Sequence, residues 1–140
     1  YSYERAVKRC KMAMLTEMVT GGKISESAYL CLKLAWMYRG EIQEAKANGA
    51  AQERISMYEK YEKEYLEDAY RGFKQARETE YPPIAGMDEN TITYLLTSIG
   101  IHCGKIDEAR RYGSALLISR TASMKLKNKT RDVLETIKKN

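Results

Sequence analysis

The side chains equipped for chemistry are few, and their spacing does not suit it. The chain has one histidine, His102, which is followed by one of the three cysteines. Neighbouring residues on a helix point about 100° apart, so His102 and Cys103 do not form a thiol–imidazole pair with each other. Cys10, Cys31 and Cys103 are odd in number and scattered, with no Cys-x-x-Cys step. That pattern indicates neither a disulfide framework nor a zinc site, and the three read as reduced core thiols. Glu67-Asp68 and Asp107-Glu108 are adjacent acids of the kind that solvate a helix surface. There is no glycine-rich phosphate loop, no nucleophile elbow and no His or Cys pair at metal-ligand spacing. These observations point away from an enzyme and from any cofactor or metal site, and towards recognition of a partner.

Composition narrows the class further. Hydrophobic residues make up 44% and charged residues 31% of 140, a globular balance in a chain long enough for a single domain over residues 1–140. No apolar run approaches the roughly 20 residues of a membrane span, so a soluble protein of the cytoplasm with no membrane contact is expected. The net charge of +5 is uneven: both ends are basic, while residues 41–80 carry ten acids against seven bases. Such a split permits contact with an acidic partner, although mixed charge on helices is ordinarily solvation. Tyr1 falls inside a helical pattern and is not a methionine, so the chain reads as a piece of a longer protein.

The elements that must position any binding residue are all helical. Within residues 96–116, Leu96, Thr97 and Ile99 lie on one short helix and Gly104 stops it. Ile106, Ala109, Tyr112 and Leu116 then recur at helical spacing as the buried face of a second. That is a helix-turn-helix unit, which cannot bury its apolar faces alone and implies others stacked on it. Tyr3, Ala6, Cys10, Ala13 and Met14 form the stripe of a first helix ended by Gly21 and Gly22. Ser25 is a plausible N-cap for the next, whose stripe is Leu30, Leu34, Met37 and Tyr38, widened by Cys31 and Ala35. Gly40 either stops or weakens that helix, and Asn48-Gly49 is the stronger stop. The longest helix runs from about Ala50 to Tyr81, with Ile55, Tyr58, Tyr65, Ala69, Phe73 and Ala76 near a 3.5-residue period and Glu62 as the polar break. Pro82-Pro83 ends it. Asp88 is an N-cap candidate with Glu89 in the first turn, and a last helix spans 124–138 with Leu126, Thr130, Val133, Leu134 and Ile137 on one side.

The units share a spacing. Cys31, Leu34, Ala35 and Tyr38 follow the first helix of a tetratricopeptide unit, and Ala69, Phe73, Ala76 and Pro82 follow its second helix and terminal proline. Ala6, Cys10 and Ala13 repeat the second-helix spacing. The chain resembles a tetratricopeptide-like, all-α, right-handed array of antiparallel helix pairs with about six helices. Leu34 to Ala69 is much longer than Leu96 to Ala109, so the middle pair is expected to protrude as a long hairpin. Thr93, Gly100 and Gly113 stand where the repeat has bulkier residues. The segments YLCLKLAWMYR (29–39) and PIAGMDE (83–89), with the later run over 127–131, resemble the C-terminal part of a bacterial domain-of-unknown-function family in which a cysteine-rich, zinc-ribbon-like segment precedes a tetratricopeptide-like region. The resemblance implies a helical fold and an upstream segment, and no catalytic residues.

In a tetratricopeptide-like array the first helices line the concave face. The groove candidates opposite the packing stripe are then Leu32, Lys33, Trp36 and Arg39 on one helix, and Tyr94, Ser98, Ile101 and His102 on another. Trp36 flanked by Lys33 and Arg39 is either a hot spot for an acidic peptide or interhelical core. The expected function is a non-catalytic scaffold for a protein or peptide in bacteria. The alternative is the assembly domain of a nucleic-acid-associated regulator, with Lys125, Lys127, Lys129, Arg131, Lys138 and Lys139 near phosphates. The bare stripe of Tyr3 and Cys10 further suggests a homodimer.

Overall fold

The computed structural model describes residues 24–79 and 87–138, and all five elements found there are α-helices: α1 (Ile24–Ala47), α2 (Gln52–Thr79), α3 (Glu89–His102), α4 (Ile106–Leu117) and α5 (Met124–Lys138). The all-α class is as expected. The helix anticipated over residues 1–20, with Tyr3, Cys10 and their packing, lies outside the described residues. The chain divides into two compact units, Tyr1–Gly72 and Phe73–Asn140, and the division falls within α2.

In the first unit α1 and α2 form a long antiparallel hairpin. Gly40 does not stop α1, which continues to Ala47. The chain then turns at Gly49, whose φ of 68° suits a residue without a Cβ. The Ala50 N–H donates back to the Ala45 carbonyl at 2.9 Å, satisfying a group the helix end leaves open. Ser25 is a buried residue inside α1 and not its cap. The seam is aromatic. Tyr38 stacks on Tyr65 with ring centroids 5.7 Å apart and lies tilted against Tyr58 at 5.8 Å and Tyr61 at 5.4 Å. Pairs of this kind contribute about 0.5–1.5 kcal/mol each beyond the area they bury. Ile42, Ala45 and Ile55 close the seam at the turn end. Glu62, the polar break in the α2 pattern, accepts the Arg39 Nε–H at 2.8 Å.

In the second unit α3, α4 and α5 pack on one another together with residues 73–79 of α2. Asp88 caps α3 by accepting the Thr91 N–H at 2.7 Å. The turn to α4 repeats the geometry of the first hairpin: Gly104 has φ of 77°, and the Lys105 N–H donates to the Gly100 carbonyl at 2.8 Å. Ile92, Leu96, Ile99, Ala109 and Leu116 are buried. Thr93, Thr97 and Thr130 are buried too, and each hydroxyl donates to the carbonyl four residues earlier, at 2.8–2.9 Å. Gly113 lets α5 pack closely on α4: a Cβ built there would stand 2.9 Å from the Leu134 Cδ1, so that side chain would have to shift. Arg77, near the end of α2, donates to Thr93 Oγ1 at 3.0 Å and lies over the Tyr112 ring, tying α2 to both α3 and α4.

Candidate binding face

On α1, successive residues step by about 100°, and the buried residues Ala28, Cys31, Leu32, Ala35, Tyr38, Ile42 and Ala45 mark the packed side. This corrects the sequence reading at three positions. Leu32, expected in the groove, is 1% exposed. Leu30 and Met37, expected in the stripe, are 47% and 46% exposed. The stripe is rotated because apolar residues occur all round α1, so their spacing alone leaves the direction of the face undetermined. Trp36, which the sequence left between core and surface, is 47% exposed. Its indole stands edge-on to Tyr29, with ring centroids 6.5 Å apart, and Lys33 Nζ lies 4.7 Å from the centroid of that same Tyr29 ring. Tyr29, Leu30, Lys33, Trp36, Met37 and Gly40 thus form one outward face, and at Gly40 nothing lies within 4 Å of the space a Cβ would occupy. Arg39 is turned away from that face and engaged with Glu62.

The remaining candidates lie on α3. Tyr94 and Ser98, four residues apart, are half-buried, and His102 is exposed. Tyr94 is covered by Lys129 of α5, whose Nζ is 5.8 Å from the ring centroid. Burial raises its phenol above the ordinary range, and the Asp132 carboxylate adds to the shift. Two further cations of α5 engage neighbours: Arg131 donates to Asn128 at 2.8 Å and Lys138 pairs with Glu135 at 3.7 Å. Eight residues were expected to form a groove. Of these, Lys33 and Trp36 share an exposed face, and Tyr94 and Ser98 share a half-covered one. Tyr29, Leu30 and Met37 were missed, although the seven-residue steps from 29 to 36 and from 30 to 37 pointed to them.

Cys31 takes part in a disulfide, contrary to the expectation of reduced thiols, and Cys103 is not disulfide-bonded. Among the described residues no helix is long and apolar enough to cross a membrane, and no three His, Cys, Asp or Glu side chains are grouped to hold a metal ion. No curated protein and no solved structure matches the chain. A family model described as uncharacterized protein conserved in bacteria (DUF2225) matches residues 1–137, and the chain belongs to that family.

Proposed function

We propose that this chain is a non-catalytic binding module whose helices stack in the tetratricopeptide manner and whose α1 face takes a protein or peptide partner. The observation that carries the reading is the exposed Trp36, set against Tyr29 and flanked by Leu30, Lys33 and Met37. A large aromatic held by a neighbouring ring loses little freedom on binding and offers both apolar area and an N–H donor, which is why such residues dominate interface energies. The two helical hairpins, each closed on a glycine with positive φ, support the repeat arrangement. We place the module in the bacterial cytoplasm. The Cys31 disulfide is the observation that pulls the other way, and site-resolved thiol labelling of protein lysed under alkylating conditions decides between the two.

The test uses the full chain immobilised and exposed to bacterial extract, beside Trp36→Ala and Lys33→Ala. Because both side chains project outward, the variants should keep wild-type helicity and lie within about 1 kcal/mol of its stability. A partner recovered by the wild type should fall at least about tenfold with Trp36→Ala, the scale of a hot spot. Identical recovery by folded Trp36→Ala protein would overturn the reading. A sharp loss of stability would return Trp36 to the core.

A further inference from the structure

The α1 face carries a charge pattern that complements itself. Along its outward line stand Lys33, Met37, Gly40 and Glu44, at steps of four, three and four residues, the spacing of a helix-pairing seam. The cation and the acid are eleven residues apart, about 16 Å along the axis, with an apolar residue and a glycine between them. Lys33 and Glu44 are both exposed.

Gly40 is the second observation. A glycine inside a helix costs about 0.5–1 kcal/mol relative to alanine. Some glycines of this chain have a reason within it: Gly49 and Gly104 adopt positive φ, and Gly113 receives Leu134. Gly40 has neither positive φ nor any neighbour within 4 Å of its missing Cβ, so nothing among the described residues requires it. A residue without a side chain, placed on an exposed face one turn from Trp36 and Met37, is a recess for a large side chain that comes from outside.

We infer that the occupant of this face is the α1 of a second copy, packed antiparallel about a two-fold axis that passes between residues 38 and 39. This rests on the reading of the α1 face as a binding surface and names its partner. In that register, positions whose numbers sum to 77 lie opposite one another. Lys33 of each copy then meets Glu44 of the other, and Met37 of each copy meets Gly40 of the other, with Trp36 beside the same recess. The two-fold doubles every contact, as an isologous interface must. A parallel pairing would set Lys33 against Lys33 and Glu44 against Glu44, and is disfavoured by like-charge repulsion. One helix face is a small area, so the dimer is a weak one that forms in the micromolar range.

Sedimentation equilibrium of the full chain across micromolar concentrations tests this with four variants. Lys33→Glu and Glu44→Lys should each weaken dimerisation at least about tenfold, because each places two like-charge contacts in the interface. The double reversal Lys33→Glu with Glu44→Lys should return the dissociation constant to within about threefold of wild type. Gly40→Leu should abolish the dimer without lowering the thermal midpoint of the monomer, since leucine favours the helix and its site is open. A wild-type chain that stays monomeric, or a double reversal no better than the single ones, would overturn the inference. Capture of another protein that still depends on Trp36 would leave the binding reading standing while this one falls. Loss of both would remove the two together.

Discussion

Two helical hairpins of similar construction lie in this chain, and they finish differently. Each turns on a glycine with positive φ and closes with a backbone N–H donated to the carbonyl five residues earlier. The α1–α2 seam is filled by four tyrosines and flanked by two ion pairs, Arg39–Glu62 and Lys46–Glu59, whereas the α3–α4 seam is aliphatic, with threonines whose hydroxyls are returned to their own helix. The second hairpin is covered by α5, which lays Lys129 over Tyr94 and inserts Leu134 at Gly113. The first keeps Trp36, Leu30 and Met37 exposed. A shared turn thus fixes how two helices pair, and the next element along decides which outward face remains exposed.

The largest effect expected from this contrast is at Tyr38, where three ring contacts converge. Tyr38→Ala should destabilise the protein by about 3–5 kcal/mol, the cost of emptying a large aromatic site that cannot collapse. Urea unfolding followed by circular dichroism measures it. A loss below about 1 kcal/mol would mean that the tyrosine seam is a loose surface cluster and not the counterpart of the aliphatic seam.

The glycines sharpen the comparison at smaller scale. Gly113→Leu must displace Leu134 and should cost about 1–3 kcal/mol as an overpacked contact. Gly40→Ala meets nothing and should stabilise by about 0.5–1 kcal/mol. The second is read at dilution, where the monomer dominates. Equal effects of the same sign at the two positions would show that α5 does not close on α4 as tightly as Leu134 implies.

Much of this architecture was legible. Asp88 as a cap, Gly49 and Gly104 as stops and the α5 span over 124–138 follow from local chemistry that acts within one turn of the residue concerned. The core of the second unit was readable too, because Leu96, Ile99, Ala109 and Leu116 are separated by polar residues. What failed was direction. Leu30 and Leu32 are the same residue type two positions apart, and which one is buried depends on where the neighbouring helices lie. Arg39 read as a ligand residue and Glu62 as a flaw in a seam until the two were found paired. Gly113 read as a departure from a repeat until Leu134 was found in its place. Each of these is a long-range relation between residues at least 20 positions apart, and single-helix periodicity carries no information about it.

The smallest effect is expected at Tyr65, where it discriminates best. The side chain is fully buried in the seam, and its hydroxyl finds no hydrogen-bond partner among the described residues. Burial, followed by the fields of Tyr38, Glu64, Asp68 and Tyr61, raises its phenol well above the ordinary value near 10. At neutral pH Tyr65→Phe removes a desolvated hydroxyl that makes no bond, so it should be neutral or stabilise by up to about 1 kcal/mol. At alkaline pH the linkage adds a second effect. The unfolded chain releases the Tyr65 proton near its ordinary pKa while the folded chain retains it. The contribution is therefore intact below about pH 10 and is lost as pH rises from there through the folded value. Phenylalanine has no proton to release, so the margin of Tyr65→Phe over wild type should widen between about pH 7 and about pH 11 in paired urea titrations. The other tyrosines titrate equally in both proteins and cancel from that difference. Parallel loss of stability in the two, or destabilisation by Phe at neutral pH, would mean that the hydroxyl is bonded and that the tyrosine seam is held by polar contacts as well as by stacking.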